Sequence, residues 1–487
     1  MSSRKHSNNN RIGNFIKGAA MVLISVIAFC AAFWVGSSFN NLDDYLEKLG
    51  IKQPSYDNAS DVTTTYVYKG EDTVDSSKDK GTVAGAESVL LPDSKESEVD
   101  TAGAGKDIDS TISSLYKQVD DNSDGAGTKA SREEIGLTEE GIKKLCKAQS
   151  GNFAYEKLTE TGKILYVEIL AILQNHAKDV SISIVNDDAV NVVFDYVLKD
   201  HPEIFWADGY KCSKHSIAGV LTDITFSGNY LYDKAEVERR QAKINEYVNK
   251  CLANAPSSDD EYFAIKYIYE YIVEHTEYSR ESPDNQNICS VFIDGKSVCN
   301  GYAKATQYLL NKLGIECTFV SGTVSGEGVA DAKHAWNLVR CNNAYYYLDT
   351  TWGDASYHTA YGSFADATKV PSVNYDYLLV TTKEIERNHK ISDILRVPEC
   401  NSMTDNYFVR EDEYFTSDDL TLVKDLFDRR YKDGSDNVTI KCANEEVYKS
   451  LFDKLITKSG VFDYLKKDTH EVSYTTFEES GRIIIWL

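Results

Sequence analysis

Three residues in the second half of the chain, Cys299, His334 and Asp349, are of the types that together carry nucleophilic acyl chemistry. They fall in three short segments, GKSVCNGYAKATQYLLNKLGI (295–315), DAKHAWNLVR (331–340) and AYYYLDTTWGD (344–354). A thiol attacks a carbonyl well once a base takes its proton, and the base works best when a third group fixes its orientation. Taken alone, Cys299 reads as a buried small hydrophobe, the usual fate of a free cysteine. The two following segments reverse that reading.

The elements that must position these groups can be read locally. From Cys299 the positions Tyr302, Leu309, Leu310 and Leu313, with Thr306 on the same stripe, follow a helical period. Gly314 supplies the stop. Ser297 is expected to cap the start, which leaves Cys299 in the first turn. Unpaired N–H groups and the positive end of the helix dipole favour a thiolate there. The Cys299 N–H would also face an oxygen that becomes negative during attack. The sequence places no second donor for that oxygen. Gly301 permits close approach of another chain or a substrate.

HAWNLVR and AYYYLDTTW are rich in β-formers, and Asn342-Asn343 between them is turn chemistry. With those two residues as the loop, Cys341 faces Ala344, Trp336 faces Asp349 and His334 faces Thr351. His334 and Asp349 then become diagonal neighbours on one face, about 7 Å apart or less at Cβ. The carboxylate is expected to accept the imidazole Nδ1–H and leave Nε2 for the thiol. A slip of one residue would put the two on opposite faces, where His334 would be a satisfied strand histidine and Asp349 a strand-end cap. Asp354 is a rival carboxylate, but it lies past the strand in TWGD, where a turn role fits better. Trp336 is expected to shield the His–Asp contact from water. The stretch 323–332, TVSGEGVADA, reads either as a lip over the site or as a plain surface loop.

These runs, GKSVCNGYAKA, HAWNLV and YYYLDTTWGD with the KLGI and VSGT segments between them, resemble the transglutaminase-like superfamily, particularly its bacterial secreted or surface members. The resemblance implies a papain-like core with a Cys–His–Asp triad on Cys299, His334 and Asp349. It extends upstream to HPEIFW (201–206) and EYS (277–279), and downstream to NYDYLLV (374–380) and, more faintly, His389. The implied chemistry is acyl transfer from a protein or peptide amide through a thioester. Water as acceptor makes a protease or deamidase, and a lysine amine makes a cross-linking transglutaminase. Substrates consistent with this are protein glutamine, peptide or cell-wall peptide. The alternative is a catalytically inactive surface binding module of the same fold, disfavoured because all three triad residues are retained. No acidic loop has calcium-binding spacing and there is no C-x-x-C pair, so neither a metal nor another cofactor is implied.

The rest of the chain bounds this reading. Its 487 residues suffice for a sizeable core plus accessory regions, and 42% hydrophobic content is ordinary for a globular protein. A net charge of −24 argues against nucleic acid as a partner, since phosphate binding needs a basic face. Residues 18–36, GAAMVLISVIAFCAAFWVG, form an uncharged apolar run long enough for a bilayer-spanning helix. Arg4, Lys5, Arg11 and Lys17 precede it and Asp43, Asp44 and Glu47 follow, which puts the N-terminus in the cytoplasm and the catalytic part outside the cell. Phe33, Trp34 and Val35 stand where a cleaved signal peptide would end in small residues, so an uncleaved anchor is expected. Ten cysteines show no paired spacing. With Cys30 in the membrane, either eight pair and leave Cys299 over, or the rest are free thiols.

The expected architecture is therefore α+β. It has a basic cytoplasmic tail (1–17), a transmembrane helix (18–36), and a juxtamembrane segment and disordered linker (37–130). A helical and strand N-terminal part (131–255), a transglutaminase-like, papain-like core (256–399) and a small accessory α/β domain (400–487) follow. The linker reading rests on the Ser, Thr, Asp, Lys and Gly content of 52–130, too poor in apolar residues to order itself and with a reach of about 50 Å. Downstream, Ile164, Val167, Leu170 and Leu173 mark a helix, and Val190 to Leu198 a second that Pro202 stops. A third is expected from Asp233 to about 253, and a fourth from a Ser258–Glu261 capping box.

Overall fold

The computed structural model describes residues 61–69, 89–91, 104–122 and 126–487, apart from 184–185, 218–219, 327–328, 355–369 and 468. All of these belong to one compact unit, 61–487. The expected cytoplasmic tail and membrane anchor lie outside the described residues. Among the described residues no helix is long and apolar enough to cross a membrane.

The N-terminal layer begins earlier than expected. Strand β1 (Asp61–Lys69) is followed by helices α1 (Ala104–Asn122), α2 (Ala126–Glu134), α3 (Glu139–Gln149) and α4 (Glu160–Asn175). Strand β2 (Val180–Ser181), helix α5 (Asp187–Asp200) and the hairpin β3 (Ala207–Ile217) and β4 (Val220–Tyr230) complete it, with strand order β1-β3-β4-β2. The disordered linker is thus corrected over 61–69, 104–122 and 126–130. Its average composition hides a helical stripe: Ile108, Ile112, Leu115, Tyr116 and Val119 recur at three- and four-residue spacing. Ile112 is fully buried, and Ile108, Leu115 and Tyr116 pack against the same core. Arg132 of α2 is buried and ion-paired with Glu168 of α4 at 2.7 Å.

The central layer carries the site. Helix α6 (Lys234–Leu252) starts at the expected Asp233 cap. Helix α7 (Glu261–His275) starts two residues later than the expected Ser258 cap, because Asp260 caps it by accepting from Tyr262 N. The Glu261 carboxylate is instead engaged by Asn342 N at 2.7 Å. The short strands β5 (Glu277–Tyr278) and β6 (Lys296–Ser297) lead to helix α8 (Cys299–Lys312). Strands β7 (Cys317–Gly326), β8 (Val329–Cys341), β9 (Ala344–Leu348) and β10 (His389–Ile391) form an antiparallel sheet in the order β10-β7-β8-β9. Within the stretch 323–332, residues 323–326 extend β7 and 329–332 open β8, so these are strand and not plain loop, and β10 pairs with β7 at Gly322 to Val324.

Both faces of this sheet are covered. Trp336, Leu338 and Tyr347 join the core of the N-terminal layer, while Val339, Cys341, Tyr346 and Leu348 join the core built on α7 and α8. This two-step alternation is what a sheet buried on both faces requires. Each fully buried large apolar side chain contributes about 1.5–3 kcal/mol relative to exposure.

The C-terminal layer is a sheet of β11 (Tyr414–Phe415), β12 (Asn437–Cys442), β14 (Arg482–Trp486) and β13 (Tyr474–Phe477), with helices α9 (Leu420–Lys432) and α10 (Glu445–Phe452). It has its own core around Val438, Ile440, Leu451 and Ile483. It is keyed to the central layer by a buried charge cluster, in which Asp376 meets Lys441 Nζ at 2.6 Å and Arg482 Nε at 3.2 Å.

Candidate active site

Cys299 is the first residue of α8, and no side chain caps that helix. The expected Ser297 cap is not made. The Ser297 hydroxyl instead meets the Ser290 hydroxyl at 2.7 Å and the Val298 carbonyl at 3.1 Å. Gly301 faces these two serines, and a Cβ there would collide with both hydroxyls. The glycine thus serves the chain's own packing, and the first turn of α8 is left with its N–H groups unclaimed by a side-chain cap. Cys299 is partly exposed, whereas the other eight described cysteines are buried and all nine are free thiols. Burial pushes thiols such as Cys251 and Cys289 up to about 12.

The β8–β9 register is the expected one: Cys341 pairs with Ala344 and Asn337 with Leu348. The turn residues Asn342 and Asn343 both have positive φ, 46° and 73°, as a two-residue hairpin turn of this hand requires. Asn342 Nδ2 also donates to Asp260 Oδ1 at 2.8 Å, so the turn is held against the start of α7. Asn337, of the HAWN run, donates to the Ala303 carbonyl at 3.0 Å and ties β8 to α8.

This register brings His334 and Asp349 together. His334 Nε2 lies 2.7 Å from Asp349 Oδ2, and both side chains are buried. The Cys299 thiol lies close enough to the His334 ring to help raise its pKa. The expected ring orientation is reversed, since Nε2 meets the carboxylate and Nδ1 is the nitrogen left for the thiol. The reason is local: Asp349 is not a strand residue but the cap of a single turn, Thr350–Gly353. Its Oδ1 accepts Thr351 N at 2.8 Å and Trp352 N at 3.1 Å, which leaves Oδ2 for the far edge of the ring. Gly353 closes this turn against Tyr269, whose hydroxyl a Cβ would strike. The rival Asp354 is engaged elsewhere, accepting the Tyr302 hydroxyl at 2.6 Å.

The charges follow from this geometry. Burial alone would lower the His334 pKa, but Asp349 and Cys299 outweigh it and raise the ring to about 10. Burial would raise Asp349, but His334 and His389 hold it well below the usual carboxylate range. The Cys299 sulfur, at a helix N-terminus, therefore faces a ring that carries a proton at neutral pH. Trp336 and Trp352 pack on His334 with ring centroids 6.0 and 6.1 Å away, and Trp336 is itself fully buried.

Residues 249–350 match the family model of the transglutaminase-like superfamily. The chain contains a transglutaminase-like domain. It is 22% identical over 255 residues to the mouse (Mus musculus) protein named kyphoscoliosis peptidase, covering 48% of this chain and 37% of that protein. To the human (Homo sapiens) protein of the same name it is 24% identical over 217 residues, covering 41% and 32%. The match thus spans about a third of the length of these relatives. Among solved structures, a crystal structure of a TGase aligns at 18% identity and TM-score 0.22, covering 30% of this chain and 44% of that one. A putative cysteine protease from Cytophaga hutchinsonii aligns at 12% identity and TM-score 0.20, covering 28% and 56%.

One further residue joins the site from outside the matched segment. His389, on the edge strand β10, places Nε2 3.0 Å from the same Asp349 Oδ2. In the sequence it is only the faint downstream end of the resemblance, and in the structure it stands in a strand of three residues. His334, Asp349 and His389 are also the one group of possible metal ligands among the described residues, with donor atoms within 4.8 Å of one another. Their hydrogen bonds to a shared oxygen account for that closeness, and the other Asp349 oxygen is taken by backbone amides.

Proposed function

We propose that this protein is a thiol acyl-transfer enzyme that acts on amides of proteins or peptides at the cell surface. The observation that carries the reading is the placement of His334 between Cys299, at the start of a helix, and the ionised Asp349 at 2.7 Å. The Cys299 sulfur attacks the amide carbonyl and forms a C–S bond. The oxyanion is held by the Cys299 N–H at the helix start. The protonated His334 ring gives its Nδ1 proton to the leaving amine or ammonia, and a thioester remains. His334 then takes a proton from water or an incoming amine, which displaces the sulfur and releases acid or a new amide.

The relatives carry the word peptidase in their name, which supports water as the acceptor. The apolar run at 18–36 supports a membrane-anchored location. The test is incubation of the full-length protein with surface protein and a labelled primary amine, read by mass spectrometry. Backbone cleavage or conversion of glutamine to glutamate marks hydrolysis, and amine incorporation marks transfer. The Cys299→Ala protein is the control. Equal product from wild type and Cys299→Ala would end the proposal.

A further inference from the structure

The mechanism above gives no work to His389, yet both nitrogens of that buried ring are engaged. Nε2 lies 3.0 Å from Asp349 Oδ2, and Nδ1 lies 2.6 Å from Oδ1 of the Asn388 side-chain amide. The other end of that amide is 2.6 Å from the Tyr377 hydroxyl. We propose that His389 is a positioning residue for the triad: its Nε2–H shares Asp349 Oδ2 with His334 and fixes the carboxylate against the His334 ring. This rests on the acyl-transfer reading of the site.

Three observations carry the proposal. First, the Asp349 carboxylate is saturated, with two backbone N–H groups on one oxygen and two imidazoles on the other. Without His389, Oδ2 keeps one donor inside a closed aromatic box, and a buried carboxylate oxygen short of a donor draws in water or turns. Second, Nε2 faces a carboxylate oxygen and so donates, while Asn388 braces the ring from its other side, with its Oδ1 2.6 Å from Nδ1 and its Nδ2 donating to the Tyr377 hydroxyl. For a neutral ring to be satisfied at both nitrogens this amide must turn over and present its NH2 to Nδ1. Burial, with His334 and Arg387 nearby, holds the His389 ring down to about 4, which keeps it neutral across the working range. Third, the chain makes room for this strand. A Cβ at Gly322 would strike the Lys390 carbonyl and come within 2.7 Å of Trp336 Cη2, so only glycine lets β10 bring His389 this close. The ionisable groups facing the pair are Cys299 from α8, Tyr269 from α7, Tyr377, and Arg387 from the segment before β10.

The test uses full-length protein carrying His389→Gln, which keeps an N–H at similar reach, and His389→Phe, which keeps the ring. Two readouts are taken: the rate of Cys299 alkylation by iodoacetamide against pH, and the downfield proton of the His334–Asp349 hydrogen bond by NMR. His389→Phe is expected to alkylate about ten- to hundredfold more slowly near neutral pH, with the acid limb of the profile moved up by about one pH unit. It is also expected to lose the downfield proton. His389→Gln is expected to stay within about threefold of wild type and to keep that proton. A wild-type rate and profile in His389→Phe overturns the proposal, as does an equal loss in both variants. If His389→Phe does not fold, Asn388→Ala decides, with a smaller change in the same direction expected and an unchanged profile overturning it. Failure of the acyl-transfer reading shows separately, as wild-type alkylation no faster than His334→Ala. The downfield proton then decides alone: its loss in His389→Phe supports the positioning role and its persistence there overturns it.

Discussion

Asp349→Asn replaces one oxygen and leaves its four donors in place: Thr351 N and Trp352 N on one side, His334 Nε2 and His389 Nε2 on the other. An amide has one oxygen for these two sites. The backbone donors belong to a buried turn and cannot rotate away, so the amide oxygen stays with them and the NH2 group faces the rings. His334 must then accept at Nε2, which moves its own proton to Nδ1, on the side of the thiol. In serine proteases this tautomer error costs about 10⁴-fold in turnover. The thiol can be followed without a substrate. The rise of His334 from 6.5 to about 10 corresponds to about 5 kcal/mol in favour of the protonated ring, achieved against burial and shared between Asp349 and Cys299. Assigning about half to the carboxylate gives about 2–3 kcal/mol, or about a hundredfold in the rate of Cys299 alkylation near neutral pH. The sign with pH is also set. A folded pKa raised above the unfolded value contributes stability fully present below about 6.5 and lost as pH rises toward about 10. In Asp349→Asn burial governs the ring and this alkaline loss disappears. The assays are iodoacetamide labelling of Cys299 by mass spectrometry and urea unfolding at neutral and alkaline pH. Labelling of Asp349→Asn within about threefold of wild type, with an unchanged alkaline loss of stability, refutes the reasoning.

Native protein should label with iodoacetamide at Cys299 well before the eight buried described cysteines, which react only after unfolding; mass spectrometry of the native labelling ratio checks this. Gly322→Ala should destabilise by about 1–3 kcal/mol in urea unfolding and slow Cys299 labelling, because a Cβ pushes β10 away from Trp336. Ile112→Ala should cost about 2–4 kcal/mol, whereas an unstructured tether would show no change in the unfolding midpoint. Lys441→Met should cost about 3–5 kcal/mol at neutral pH, since it leaves the buried Asp376 carboxylate with Arg482 as its remaining partner in the cluster. Asp376 is held below the usual range, so its contribution is present above about 3.8 and lost as pH falls; Lys441→Met should narrow its stability gap to wild type below that pH.

Much of the candidate site was legible because its parts are local. Apolar spacing marked α8, and turn residues marked the β8–β9 hairpin and its register. Two details were misread for local reasons as well: the Ser297 hydroxyl pairs with Ser290 instead of capping α8, and Asp349 caps a turn, which reverses the His334 ring. The ordered helix at 104–122 was missed because a window average dilutes five apolar residues among polar ones, although their spacing is helical. The stretch at 323–332 looked like a loop or lip because its residues are small, but 323–326 and 329–332 pair as the ends of β7 and β8.

From the sequence by itself came a cysteine at a helix start and a histidine and an aspartate brought together by one hairpin, since periodicity and a two-residue turn are set within a few residues of chain. Only the tertiary structure set the His389 ring on Asp349, 40 residues earlier in the chain, where the resemblance had marked that histidine faintly and given it no partner. That contact depends on a strand edge, a glycine and a tryptophan meeting in space, and no local pattern encodes which distant edge will be the one to pack. The same nonlocal packing decided that the polar stretch before residue 131 is ordered in part, because the surface that Ile112 buries against is supplied by helices that follow it.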